Sequence, residues 1–228
     1  MNTLVLTAHG SRDPRSGATA AEIAERLALL RPDVDVRLAF LERNAPLLAD
    51  VLTGLPDGRP AVVAPFLLAA AYHARHDIPE HIARAGAEDD RLVSVLRERL
   101  AELGVSPDDD DLGVMVVAIG SSDAAANART ATVASTLVSG TRWTGATTAF
   151  ATRGERTVAR AAGSLRRQGA RRLVIAPWFL APGLITDRVA TFAHDHGIPM
   201  AEPLGAHPLV AETVLDRYQQ ALEQDRAA

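Results

Sequence analysis

The chain has 228 residues, 47% of them hydrophobic, with 28 acidic and 24 basic side chains and a formal net charge of −4. That length accommodates one large domain or two small ones with a real core, and the acidic balance argues against a general nucleic-acid or anionic-membrane binder. There is no cysteine and every basic residue is arginine, which excludes thiol nucleophiles, iron–sulfur clusters, cysteine-based zinc sites, Schiff-base lysines and the P-loop lysine.

Residues 4–7 form a short apolar run rich in β-formers and read as a buried strand, which His9-Gly10-Ser11 ends with turn residues. A helix is expected at 20–30, opened by a capping box of Thr19 and Glu22 and ended by Pro32. A strand at 36–41 follows, then a helix from Pro46 and a strand at 61–67. Residues 77–86 pass almost directly into a helix at 91–103, so the first half is expected to lack a fourth strand. GVSPDDDD at 104–111 reads as a solvated linker, because four adjacent carboxylates in an extended loop cannot converge on one ion. Beyond it come strands at 113–118, 145–150 and 172–179, helices near 124–138 and 155–168, a fourth strand at 198–202 and a closing helix from 208 to about 223. The longest nearly unbroken apolar stretch, 61–72, contains a proline and is too short to span a bilayer. With no basic-then-apolar segment before the first strand, a soluble cytoplasmic protein is expected.

The chain repeats itself. LVLTAHGSRD at 4–13 is echoed by VMVVAIGSSD at 114–123, LAF at 38–40 by TAF at 148–150, and VVAPFLLA at 62–69 by VIAPWFLA at 174–181. His9 to Ile119, Phe40 to Phe150 and Pro65 to Pro177 are 110, 110 and 112 residues apart, a near-constant spacing at three separate strand ends. Two homologous α/β halves follow, residues 1–103 and 112–228 joined by 104–111. Each is expected to be a three-layer unit with a parallel sheet flanked by helices, and a cleft should lie between them.

Ligands of an open parallel sheet bind beyond the carboxyl ends of its strands. There the first half gathers His9 after the first strand, Glu42 after the second and His73 after the third. Two imidazoles and a carboxylate suit a divalent transition metal that keeps open positions. Each residue alone also has a plainer reading: His9 as a capped structural histidine, and Glu42 as a capping carboxylate ahead of Asn44-Ala45-Pro46. His76 and His81 are weaker candidates. In the second half Ile119 stands where His9 stands, Thr152 falls opposite Glu42, and GLITDRV offers no histidine near the place of His73. A polar trio lost together from one copy points to a function kept in the other.

HGSRDP after the first strand, AFLE after the second and PFLLAAAYHARHDIP after the third resemble the sirohydrochlorin chelatases of the CbiX/SirB type. The resemblance covers essentially the whole chain, with a degenerate second half ending in PWFLAPG and LGAHPLVAETVLDRY. It implies a bilobal α/β class II chelatase that inserts Fe²⁺ or Co²⁺ into sirohydrochlorin without ATP, in siroheme or cobalamin biosynthesis. Ni²⁺ also suits these donors. It further implies His9 and His73 as metal-binding and catalytic histidines, with Glu42 as the metal-site carboxylate. No permanently bound cofactor is expected, since the metal is substrate. A polycarboxylate macrocycle calls for local cations on an acidic protein. Ser11, Arg12, Arg43 and Arg75, with Arg15 beside them, are the candidates to hold it, and each reads equally well as an ordinary surface residue. Trp178, Phe179 and the Pro182-Gly183 loop are available to cover the ring, although strand alternation places at least one of the two aromatics in the core. The expected partners are sirohydrochlorin and the metal ion, with neither nucleic acid nor membrane, for a monomer or homodimer. A carrier that binds tetrapyrrole or metal without turnover is the alternative. A histidine phosphatase is a weaker one, because its motif places arginine directly before His-Gly and Ala8 stands there.

Overall fold

The computed structural model describes residues 2–56, 61–68 and 90–227. The first repeat comprises β1 (Thr3–Ala8), α1 (Pro14–Leu30), β2 (Asp35–Phe40), α2 (Leu48–Thr53), β3 (Ala61–Pro65) and α3 (Asp90–Glu102). The second comprises β4 (Leu112–Ala118), α4 (Ala124–Val138), β5 (Gly145–Phe150), a short 3₁₀ turn (Ala151–Arg153), α5 (Glu155–Arg167), β6 (Arg172–Trp178), α6 (Leu184–Asp195) and α7 (Pro208–Ala227). Each repeat builds a three-stranded parallel sheet with its first strand in the middle, in the orders β2-β1-β3 and β5-β4-β6. The protein is therefore α/β, with two parallel sheets flanked by helices. Among the described residues no helix is long and apolar enough to cross a membrane.

Alternation along the central strands sorts the core. Leu4, Leu6 and Ala8 of β1 and Val114, Val116 and Ala118 of β4 all belong to one apolar cluster. Met115 and Val117 point the other way, into a second cluster with Val158, Leu165, Val189 and Phe192 of α5 and α6. The shared cluster is completed by α1, α3, α4 and α7. These helices are exchanged between the lobes. The last helix of the first repeat, α3, packs on β6 and α4 of the second, and the last helix of the second, α7, packs on β3 and α1 of the first. The two exchanged helices also pack on each other. Tyr218 of α7 is 1% exposed and lies under the Arg31 guanidinium at 6.0 Å. Burial pushes its phenol up from the ordinary value, partly offset by Asn2 and Arg31.

Four details differ from the expectations. Helix α1 begins at Pro14, capped by Asp13, whose carboxylate accepts the Arg15 N–H. Thr19 lies inside the helix with its hydroxyl donating to Arg15 O, so the Thr19–Glu22 box is not the cap; proline at the first helical position after an aspartate was the correct signal. Helix α2 starts at Leu48, with Leu47 and not Pro46 at its entrance. Residues 198–202 form a single bridge between Met200 and Ile175, because Pro199 and Pro203 lack the N–H groups that would extend a ladder. Helix α6 was not foreseen, although Ile185, Val189, Phe192 and Ala193 carry helical spacing. The expected gap at 77–86 lies outside the described residues. The acidic linker is tied down as well as solvated: Arg172 pairs with Asp109 at 2.8 Å and the Trp143 indole donates to Ser106 O at 2.8 Å.

Because α7 closes the first lobe's core, its main anchor should stabilise both lobes together. Tyr218→Ala is expected to lower stability by about 3–5 kcal/mol, the usual cost of truncating a buried aromatic. Urea unfolding followed by far-UV circular dichroism checks this, with a single transition for both lobes.

Candidate functional site

Strand register sets the site. Ala8 at the end of β1 lies beside Phe40 at the end of β2, so the residues that follow emerge side by side. The ladder continues past the strands, with Leu41 N–H donating to Ala8 O at 2.9 Å and Glu42 N–H to His9 O at 3.1 Å. Gly10 makes this approach possible. Its φ is +92°, and a Cβ placed there would fall 1.8 Å from the Glu42 carbonyl oxygen, so only glycine fits. Arg43 takes a left-handed φ of 67°, a conformation that costs a non-glycine residue about 1–2 kcal/mol. Asn44 N–H then donates to Glu42 O at 2.7 Å, and the Asn44 side chain accepts the Ser11 N–H at 2.7 Å. Both loops are thus locked to each other through backbone and amide.

The outcome is a facing pair. His9 Nε2 stands 3.6 Å from Glu42 Oε1, with the two side chains 43% and 42% exposed. Glu42 Oε1 also accepts a hydrogen bond from Arg43 Nε at 2.7 Å. A spacing of 3.6 Å is long for a hydrogen bond. It is close to the roughly 3.4 Å that separates two tetrahedral ligands each about 2.1 Å from one ion. His73, the expected third ligand, and Arg75 lie outside the described residues. Among the described residues no group of three His, Cys, Asp or Glu side chains is placed to hold a metal.

The pair opens onto a cleft of about 840 Å³ between the lobes. Arg12 and Arg43 line it beside His9 and Glu42. Ser11 lines it too, while its Oγ accepts the Asp13 N–H at 3.0 Å and so helps to shape the turn. The second repeat builds the same turn with Ser121 and Asp123. Its counterpart of the Glu42–His9 backbone bond runs from Thr152 N–H to Ile119 O at 3.0 Å. Ile119 and Thr152 are therefore the structural equivalents of His9 and Glu42. Trp178 and Phe179 are each 2% exposed and belong to opposite clusters, so both aromatics are core.

One further residue had no distinctive signal in the sequence. Asp187, in the first turn of α6, takes both Arg15 guanidinium arms at 3.1 and 2.6 Å. Arg15 Nε donates to Asp13 at 3.0 Å, so one arginine clips the entrance of α1 to that of α6 on the opposite wall. Arg15 is held above its ordinary value by Asp13 first and Asp187 second. Asp13 is held below the usual carboxylate value, chiefly by the Arg15 side chain and then by its backbone N–H.

Two expectations follow from this geometry. Gly10→Ala should destabilise the protein by more than Gly104→Ala. Gly104 shares a positive φ of 77° but has open space around its Cβ position, so it carries only the left-handed cost of about 1–2 kcal/mol. Paired urea titrations measure the difference. A depressed carboxyl contributes stability that is present above its unfolded value and lost as pH falls through the folded one. The stability gap between the parent and Asp13→Asn should therefore stay constant at neutral and mildly acidic pH and shrink below about pH 4.

The CbiX family model matches residues 3–107 and 113–221, one copy on each repeat. A sirohydrochlorin ferrochelatase of Priestia megaterium is 30% identical over 144 residues, which make up 55% of this chain and 53% of that protein. The chain thus spans about half the length of that relative. A sirohydrochlorin cobaltochelatase of the same organism is 25% identical across 98% of this chain and 81% of its own length. Among solved structures, SirB from Bacillus subtilis with Fe³⁺ shares the fold at a TM-score of 0.77 and 22% identity, covering 96% of this chain and 95% of that one. CbiX, the terminal enzyme for biosynthesis of siroheme in denitrifying bacteria, does so at 0.67 and 20%, covering 97% and 99%. With a family model on each repeat and the fold matched along nearly its whole length, the chain belongs to the CbiX family.

Proposed function

We propose that this protein inserts a divalent metal ion, Fe²⁺ or Co²⁺, into sirohydrochlorin without ATP, with His9, His73 and Glu42 as the metal-holding and proton-accepting groups. The observation that carries the reading is the His9–Glu42 pair at 3.6 Å, built on a backbone frame that the second repeat copies with Ile119 and Thr152. The names of the ferrochelatase and cobaltochelatase relatives support the reaction class. Ni²⁺ also suits the donor set, and the choice among the three ions belongs to the assay.

The chemistry requires three things of the site. The ion must be held loosely, which two imidazoles and one carboxylate achieve while leaving positions open to incoming pyrrole nitrogens. Two pyrrole N–H protons must leave as the metal enters, and Glu42 or a neutral imidazole accepts one at a time before solvent removes it. The peripheral carboxylates must meet cations. Arg12 and Arg43 line the cleft, and Arg75 follows His73 in the same sequence segment. Ser11 is the fourth candidate contact. The reaction is read as cytoplasmic, in a monomer or homodimer. A carrier would use the same ligands but yield at most one metallated ring per chain.

The test is anaerobic incubation of the purified protein with sirohydrochlorin and Fe²⁺, Co²⁺ or Ni²⁺, followed by absorbance. Multiple turnovers are expected, and a single stoichiometric burst would favour the carrier. His9→Ala should lose at least about 100-fold in rate while the protein stays folded, since the residue sits on a loop. Glu42→Gln should lose less if the carboxylate only assists. Undiminished turnover by a folded His9→Ala protein would refute the assignment.

A further inference from the structure

The second lobe has lost the metal-holding groups but still forms a wall of the cleft, and its residues there are not neutral debris. Ile119 occupies the structural place of His9. Ile185 stands eight residues after Pro177, as His73 stands eight after Pro65. Isoleucine thus stands at the sequence-equivalent place of each histidine. Thr152, in the place of Glu42, turns its hydroxyl back to donate to Ile119 O at 2.8 Å.

Charge is divided just as sharply. Among the described residues that line the cleft, the ionisable ones, His9, Arg12, Glu42 and Arg43, all come from the first lobe, and the second lobe's nearby Asp187 is taken up by Arg15. Its wall carries two large aliphatic groups open to solvent, Ile119 at 46% and Leu184 at 63% exposure. Exposure alone means little, since Leu29 is 83% exposed at the end of α1. Ile119 and Leu184 differ because both rim the same cavity as the His9–Glu42 pair, while Trp178 and Phe179 beneath them are sealed in the core.

We infer that Ile119 and Leu184 are substrate-positioning residues, an apolar platform that takes one face of the macrocycle and presents the other to His9 and Glu42. The inference rests on the proposed chelatase reading and names the ring-binding half of that site. A flat conjugated ring with carboxylates at its edge matches the division of the cleft, with its face on the aliphatic wall and its acidic rim toward the arginine wall. The duplicated half would then have exchanged ligands for hydrophobic contact.

The experiment separates ring binding from metal binding. The full chain and the double variant Ile119→Asn/Leu184→Asn are titrated with metal-free sirohydrochlorin, by absorbance or fluorescence, and separately with Co²⁺ alone. The double variant should bind the macrocycle about tenfold more weakly and raise KM with it, while its Co²⁺ affinity stays within about twofold of the parent. Ile119→Val/Leu184→Met, which keeps the apolar surface, should behave like the parent. Leu184→Asn alone, at a largely exposed position, gives a smaller loss in the same direction and guards against misfolding of the double variant. Macrocycle affinity unchanged in folded Asn variants would overturn the platform, as would a parallel loss of Co²⁺ binding. A parent chain that fails to bind sirohydrochlorin would instead overturn the functional reading, and the platform with it.

Discussion

The whole cleft depends on how closely two loops approach one another. Glu42 donates its backbone N–H to the His9 carbonyl, and Gly10 brings the chain so near the Glu42 carbonyl that any Cβ would collide with it. This contact is a steric and backbone hydrogen-bonding constraint before it is a side-chain one. It fixes where a histidine and a carboxylate stand relative to each other, and its backbone hydrogen bond recurs in the second repeat from Thr152 N–H to Ile119 O. The two repeats then differ in the side chains they mount there, His9 and Glu42 on one frame and Ile119 and Thr152 on the other.

A frame at the edge of a sheet is useful only if the opposing wall is held at a defined distance. Neither three-stranded sheet covers its own inner face. Each receives the last helix of the other repeat, and one apolar cluster runs through both lobes. Sliding one lobe against the other would break that cluster. The Arg15 clip adds a polar tie between the first turns of α1 and α6. A pair with both side chains about half exposed adds little stability by itself. Its importance lies in placement, because it joins the two walls of the cleft.

Much of this was legible in the sequence, for identifiable reasons. The strands are short β-branched or apolar runs ended by Gly, Pro or turn residues, so residues 145–150 were located to the residue and most others to within one or two. The echo of GSRD by GSSD marked equivalent strand ends, and the backbone bonds of Glu42 and Thr152 show that the alignment of His9 with Ile119 was right. What escaped was mostly non-local. Arg15 and Asp187 are 172 positions apart, and no local pattern says that α3 and α7 change lobes. Other misses were errors of local reading. Thr19 and Glu22 have capping-box spacing, but Asp13-Pro14 is the stronger start signal for α1. The fourth strand expected at 198–202 is limited to one bridge by the prolines at 199 and 203. Both aromatics at 178–179 are core, and the large apolar groups exposed on that wall are the aliphatic Ile119 and Leu184, which composition does not single out.

The central claim is that the chain keeps one metal site, in its first repeat, on a frame that the second repeat shares but no longer arms. Anaerobic titration of the full-length protein with Co²⁺, read by ligand-field absorbance or calorimetry, tests it most directly. The account predicts saturation at about one equivalent per chain, with protons released as the histidine and carboxylate donors engage the ion. Two equal sites per chain, or a site that survives intact in His9→Ala, would contradict it.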